Sequence, residues 1–447
     1  MKEGIYMASN LFGMMNTSTT GLMTSQVAIS TTANNISNSN TIGYTRQRAL
    51  ITNNSPIYYR GVGYLGTGVN IKDIQRIRDA HLDAQIRKET TTFGEYQTKL
   101  DVMKDIEVVF NEPSETGLNA MMSKFWSSWE ELSKNTENST MHTLVKENAK
   151  AVADQLNHLN QMLKDALANT QTRQEYQAGV AADLIQQLNS VNQVIKESYE
   201  QDPTRTPNEL LDQRDMLTQQ ISQILPITVK EQPNGTVEVS TILENGTNLD
   251  VLGLDKQALL DQASEFKSGS LRAYEDMKTE IDGNYTKRLN EYTQAFVDGI
   301  NQAQGIEFFK CDPADPTGTI EVNPDLLNNV IQIQTGPAGD GDNTTVLATM
   351  KVRDEKITIN GEQTTLDNYY KGIIADVGVA TQHAQSMVKS QTTLLGYLDE
   401  QYESISGVSI DEEVVNLVQF QKAYDANAKV ISTITDMLDT IINKLGV

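Results

Sequence analysis

The two ends of the chain constrain its fold more than anything between them. From Leu11, apolar or small side chains recur in steps of four and three, at Met15, Ser18, Leu22, Ser25, Ile29, Thr32 and Ile36. The same alternation runs from Val414 through Leu417, Gln421, Tyr424, Ala428, Ile431, Thr435, Leu438 and Ile442 to Leu445, with eight of the ten positions apolar. A helix striped in this way needs a partner helix to cover the stripe. The two ends are therefore expected to pair as a coiled coil, with the remaining residues inserted between them. The first helix is expected to stop at ANNISNSNTIGYTRQ, Ala33 to Gln47. There Asn34, Asn35, Asn38 and Asn40 compete for nearby backbone and Gly43 tolerates the conformation that ends a helix.

Between the ends the periodicity changes several times. Tyr44 to Lys88 is Gly-rich and extended, with alternation at Val69 and Ile71, then Ile74 and Ile77 near a helix start. Phe93, Tyr96, Leu100, Met103 and Phe110 then share a helix face that Pro113 closes. Further helices are expected over Leu118–Leu132, along the heptad from Val145 to Ala166, and around Leu184, Leu188, Val191 and Ile195. Thr206 as cap, Pro207 at the first helical position and Glu209 open another, running to Leu225. After Pro226 the period drops to two, with Asn234-Gly235 as a two-residue hairpin turn and Asn245-Gly246 as a further turn. Asp312 to Asp354 reads as loop and strand, and helices resume at Leu366 with a break near Gly407.

This pattern predicts a mainly α protein with small β inserts (α+β) and discontinuous, nested domains. Its expected parts are a terminal coiled coil (1–43 with 405–447) and an extended, Gly-rich and basic linker (44–88). A long-helix bundle follows (89–225 with 263–311 and 366–404), and the β-rich inserts are 226–262 and 312–365. A length of 447 residues is enough for two or three such domains.

Charge and cysteine content narrow the functional classes. A net charge of -23 leaves no excess of Lys and Arg for counterion release, so nucleic acid is not an expected partner. Residues 44–88 carry eight Lys/Arg against three Asp, whereas 399–425 carry seven acids against Lys422 alone. Two opposite patches thus flank the proposed terminal pair. Cys311 is the sole cysteine, which excludes an internal disulfide and a multi-Cys metal site. No apolar run is long enough to span a membrane. The start lacks the apolar core of a cleaved signal, because Gly13, Asn16 and a Thr/Ser cluster interrupt Leu11–Leu22.

The motifs that resemble chemistry are outweighed by plainer readings. GVGYLG, Gly61 to Gly66, matches a dinucleotide-binding glycine pattern, yet Thr67-Gly68-Val69 continues extended where a phosphate cradle needs a helix N-terminus. Asp340-Gly341-Asp342 opens like a calcium loop, but Thr345 stands in place of the required Gly and Lys351 in place of the bidentate Glu. His81, His142, His158 and His383 fall in separate contexts, and no Ser sits in a nucleophile elbow. Trp126 and Trp129, three apart, read as bundle core. No catalytic, cofactor-binding or metal-ligating residues are therefore nominated. The seam itself is: Leu11, Met15, Leu22, Ile29, Ile36, Val414, Leu417, Tyr424, Ile431, Leu438, Ile442 and Leu445.

The stretch from Ala33 to Gln47, followed by GTGVNIKDIQRIRDAHLDAQIR at Gly66–Arg87, resembles the shared N-terminal signature of bacterial flagellar rod, hook and hook-associated proteins. The family-like part opens at Met7, and Ile42 departs from the Pro that members commonly carry between Thr and Gly. The middle region, NELLDQRD, LPITVKEQPNGTVEV, SGSLRAY and DGINQAQG, is similar to a hook-associated protein of the hook–filament junction. This resemblance implies a non-enzymatic structural adaptor, without cofactor, that assembles at the hook tip. Implied partners are the hook protein, a distal hook-associated protein, copies of the chain in a ring, and an export chaperone at the C-terminal helix. It further implies secretion through flagellar type III export, with no membrane insertion. Another axial subunit, hook or distal rod, is the nearest alternative. An enzyme displayed on the scaffold at Asp312–Asp354 is the more distant one.

Overall fold

The computed structural model describes residues 2–59, 63–110, 114–115, 117–202, 205–339, 341–359 and 361–440. The chain opens with α1 (Lys2–Ser37), followed by the strands β1 (Gln47–Asn53), β2 (Ile57–Tyr59), β3 (Gly63–Leu65) and β4 (Val69–Arg76). Four helices come next: α2 (Ala80–Phe110), α3 (Leu118–Lys134), α4 (Ser139–Gln201) and α5 (Asn208–Ile224). Strands β5 (Thr228–Glu231), β6 (Val237–Ile242) and β7 (Asn248–Asp250) form an antiparallel sheet. After α6 (Lys256–Asp261), α7 (Ser270–Glu280) passes through a π-helical stretch at Ile281–Thr286 into α8 (Lys287–Gln304). Then follow β8 (Phe309–Lys310), α9 (Pro316–Thr319), β9 (Glu321–Val322), α10 (Pro324–Leu327), α11 (Thr344–Lys351), β10 (Ile357–Ile359) and β11 (Glu362–Thr364). The long α12 (Leu366–Ser406) and α13 (Ile410–Asp439) close the described chain. A mainly α fold with small antiparallel β inserts is what the periodicities predicted.

The chain divides into two compact units, each assembled from separated stretches. One comprises Met1–Thr90, Ala181–Leu254 and Thr393–Val447, the other Thr91–Val180 and Asp255–Thr392. The second unit holds the large apolar core, which draws on α2, α3, α4, α8 and α12. Its centre is aromatic. The Phe125 ring lies 5.0 Å from Trp126, 6.1 Å from Trp129 and 5.7 Å from Phe296, and all four side chains are buried. Tilted and edge-on rings at these distances add to what area burial alone supplies.

The first unit buries apolar side chains on the C-terminal half of α4 (Ile185, Leu188, Ile195), on α5 (Leu217, Ile221, Ile224) and on β6 (Val237, Val239), but few along its terminal helices. Leu82, Ile86 and Leu398 form one small cluster. Along α1 from Leu11 onward the buried side chains are mostly Ser, Thr and Asn, with Ala28 the one apolar residue among them. In this unit β1 and β4 pair antiparallel with a register shift between Leu50 and Ile51, and β2 and β3 make a separate hairpin. The β4 approach places Gly68 (φ +98°) against α1, where a side-chain carbon would collide with Thr20 Oγ1 and lie 3.3 Å from the Thr17 backbone.

Four local expectations are corrected. The heptads around Val145 and Leu184 belong to one helix of 63 residues, α4, because nothing between them breaks it: the single glycine, Gly179, costs only about 1 kcal/mol in a helix. Thr206 does not cap α5; its hydroxyl donates to Asp73 (3.0 and 3.1 Å), and Pro207 takes the cap position instead. The β5–β6 loop is Pro233-Asn234-Gly235. A Gly235 N–H to Gln232 carbonyl bond (2.9 Å) makes a turn with Pro233 as its first central residue, and Gly235 (φ +73°) forms the bulge after it. Within Asp312–Asp354 the structure has three short helices, α9, α10 and α11. Prolines 316 and 324 open two of them, beside the capping side chains of Asp315 and Asn323.

Candidate functional site

The stretch that ends α1 does more than stop a helix. Asn38 behaves as its composition predicts: its amide donates to the Asn34 carbonyl (3.1 Å) and to Asn34 Oδ1 (2.7 Å). Asn35 does not. It is 1% exposed and all four of its hydrogen bonds reach away from its own helix. Its Oδ1 accepts from the Tyr44 hydroxyl (2.8 Å) and the Gln47 N–H (3.0 Å), and its Nδ2 donates to the Gln47 carbonyl (2.9 Å) and to Glu413 Oε2 (3.0 Å). A buried amide so saturated carries no desolvation penalty, and each partner would be orphaned by its loss.

Glu413, 2% exposed, is the α13 end of this contact. Arg46 neutralises it, donating through Nε (2.8 Å) and Nη2 (2.7 Å) to Oε1 while Nη1 reaches Glu412 (2.9 Å). The Arg46 backbone adds two bonds, its N–H to the Ser406 carbonyl (2.9 Å) and its carbonyl from the Ile77 N–H (2.8 Å). One residue thus ties the exit of α1 to the start of α13, to the end of α12 and to the residue following β4. The opposite charge patches read from the sequence meet here, within one chain.

A second tier joins these elements to α5. The Thr45 N–H donates to Asp212 (3.1 Å), and Arg76 Nη1 donates to Asp212 and Asp215 (2.8 Å each). Asp215 also accepts from Arg78 and from Arg214, whose Nη1 continues to Glu231 (2.9 Å) and the Gly235 carbonyl. Burial pushes the Asp215 pKa up, but the guanidiniums of Arg78, Arg214 and Arg76 outweigh it and hold the carboxyl below the ordinary aspartate range. Burial first, then Asp212, Glu209 and Glu413, raises the Tyr44 pKa, which keeps its hydroxyl protonated as the donor to Asn35.

Beside this network stands Ile42, 91% exposed. The Tyr44 N–H returns to the Thr41 carbonyl (3.1 Å) with Gly43 at φ +80°, which makes Thr41–Tyr44 a turn whose first central position is Ile42. Two clefts of about 330 and 240 Å³ flank it, and Asp212 and Met216 line both.

The terminal helices pack antiparallel. Asn35 meets Glu413, and two heptads further along Gly21 meets Asn427, so closely that a side-chain carbon on Gly21 would lie 2.9 Å from the Asn427 amide. Of the expected seam residues, Leu11, Met15, Leu22, Ile29 and Ile36 on α1 and Leu417, Tyr424, Ile431 and Leu438 on α13 are half-buried. Val414 is 45% exposed, and Ile442 and Leu445 lie outside the described residues. On α13 the line turned inward is Glu413, Leu417, Phe420, Tyr424, Asn427, Ile431, Ile434 and Leu438. It shares every second member with the expected line and takes the neighbour one position earlier for the rest. Hydrophobicity favours Val414 over Glu413, but the carboxylate is inside because Arg46 and Asn35 satisfy it.

Comparison with known proteins accounts for this architecture. Residues 103–308 match the model of the flagellar hook-associated protein FlgK helical domain. Residues 15–45 match that of flagella basal body rod proteins, and 399–445 the C-terminal model of the basal body rod FlgEFG proteins. Flagellar hook-associated protein 1 of Bacillus subtilis (strain 168) is 31% identical, over 99% of this chain and 99% of that protein. This chain belongs to the hook-associated protein 1 family. The Escherichia coli (strain K12) member is 24% identical, over 96% of this chain and 99% of its own length. In fold, the chain is similar to the flagellar hook junction protein FlgK from Burkholderia pseudomallei, with a TM-score of 0.60 at 12% identity, covering 72% of this chain and all of that one. The chain is thus a structural component of the bacterial flagellum.

In this family member the signature stretch at 33–47 and the NELLDQRD run on α5 meet in one polar network. No heptad template selects Asn35, Arg46, Asp212, Asp215 and Glu413 as a group, because each is polar. The signal that finds them is the pair of opposite charge patches, together with the acids and arginine of NELLDQRD.

The remaining sequence motifs have structural contexts. Gly61 and Val62 lie outside the described residues, and Gly63–Leu65 is a strand rather than the approach to a helix N-terminus. His142 bonds the Thr136 carbonyl (2.7 Å), and His383 packs edge-on to Tyr96. Cys311 is half-buried with its thiol 3.7 Å from Gln294 Oε1, and burial raises its pKa. Among the described residues no helix is long and apolar enough to cross a membrane.

Proposed function

We propose that the chain is a non-enzymatic adaptor that assembles at the tip of the flagellar hook and joins the hook to the filament. One observation carries this reading. The paired terminal helices use half-buried and polar side chains for each other and leave large apolar ones in solvent: Phe12 and Met23 at 60% exposed, Val415 at 67% and Met437 at 50%. Exposed apolar side chains repeated along both helices suit a surface that is covered on assembly. Its neighbours there are the hook protein, a distal hook-associated protein and further copies of the chain in a ring. Before assembly the C-terminal helix is the segment an export chaperone would hold, as a helix-in-groove ligand, on the way to flagellar type III export. The test is electron microscopy of cells lacking the gene. Hooks without filaments are expected, and normal filaments would refute the reading.

A further inference from the structure

We infer that the Asn35–Glu413–Arg46 cluster is a register pin, the feature that decides which turn of α1 faces which turn of α13. The seam cannot make that choice by itself. On α1 one seam position is a small hydroxyl in three successive heptads, Ser18, Ser25 and Thr32, and the other is a bulky apolar residue throughout. On these two lines of α1 a slide by one heptad, about 10 Å, therefore replaces hydroxyl by hydroxyl and apolar by apolar.

Nor do the polar groups near the seam discriminate. Ser25 bonds the Gly21 carbonyl in its own helix (2.8 Å), Thr31 the Val27 carbonyl (3.1 Å), and Asn427 the Ala423 carbonyl (2.9 Å). Bonds made inside a helix travel with it. The Asn35 to Glu413 bond crosses from one helix to the other at the buried end of the pair, and Arg46 completes the neutralisation. Any other register leaves a carboxylate, an amide or a guanidinium in a dry site without its partner. A single buried polar contact of this kind is the best-attested way for a coiled coil to specify alignment.

The chain connections do not fix the register in its place. The nine residues from Asn38 to Arg46 link α1 to β1 and reach up to about 30 Å when extended, so α1 can slide while β1 stays where it is. A slide would bring Met14 or Ala28 to the place of Gly21, against the Asn427 amide, but that amide is the end of a side chain bonded only to its own helix and can turn aside. The inference holds whether or not the chain works at the hook.

Disulfide trapping tests it on the full-length chain. With Cys311→Ser as background, Gly21→Cys is combined with Asn427→Cys for the observed register, or with Phe420→Cys or Ile434→Cys for a slide of one heptad either way, and diamide serves as oxidant. In the parent the 21–427 pair is expected to exceed each slipped pair about tenfold or more. Replacing both charges, Glu413→Leu with Arg46→Met, should bring the slipped pairs to within about threefold of it while circular dichroism keeps the parent helix content. A variant that still closes 21–427 alone overturns the pin. Should that variant unfold, moving the pin decides the matter: Glu413→Leu with Phe420→Glu places the acid one heptad along α13. The trapped pair should then change from 21–427 to 21–434, and a pair that stays at 21–427 overturns the inference.

Discussion

Asn35 and Asp215 each hold a buried site that apolar packing does not fill, and they differ in how pH reaches them. Asn35→Ala removes four hydrogen bonds and leaves Glu413 and the Gln47 backbone short of partners. It should destabilise the first unit by about 2–4 kcal/mol, read from chemical denaturation. Asp215→Asn leaves Arg76, Arg78 and Arg214 without their shared carboxylate, a cost of about 3 kcal/mol near neutral pH. The Asp215 pKa is depressed in the folded state, so its stabilisation is complete above the unfolded aspartate value of 3.8 and is lost as pH falls below it. The gap in melting temperature between parent and Asp215→Asn should therefore be constant from pH 8 to about 5 and narrow in more acid solution. Ile42 tests the opposite direction. It is exposed and occupies a turn position that favours Pro, so Ile42→Pro should raise stability by about 0.4–1 kcal/mol by restricting the unfolded chain.

At the level of elements, the sequence was legible wherever period and punctuation agreed. The end of α1, the bounds of α3, the start of α12, the hairpin glycines and the break at Gly407 all follow from them. It was less legible where a tertiary partner outcompeted a local one: Thr206 leaves its capping role for Asp73, and Glu413 displaces Val414 from the seam. Neither partner is visible within a window of a few residues. The same physics makes the terminal pair a weak element. Its buried side chains are mostly small and polar, whereas the second unit has a large aromatic core. Amide exchange of the soluble chain should accordingly be faster along α1 and α13 than along α3 and α8. Ile29→Asp, which puts a carboxylate into the seam, should speed exchange along α1 and α13 further and leave α3 and α8 unchanged.

For the whole molecule, the contrast lies between a large aromatic core in the second unit and exposed apolar side chains on the terminal helices of the first. The second has the core expected of an independently stable body, and in the first a polar network holds terminal helices that carry several large apolar side chains in solvent. If those side chains join the chain to its neighbours, they can be altered without disturbing either unit, since exposed substitutions away from special features change stability by no more than about 0.5 kcal/mol. The direct measurement is the fraction of hooks bearing filaments, counted by electron microscopy in a gene-deletion strain that expresses the chain with Met23→Glu and Val415→Glu. The account predicts a protein with the parent's melting temperature that leaves most hooks bare. Filaments on as many hooks as with the parent chain would contradict it.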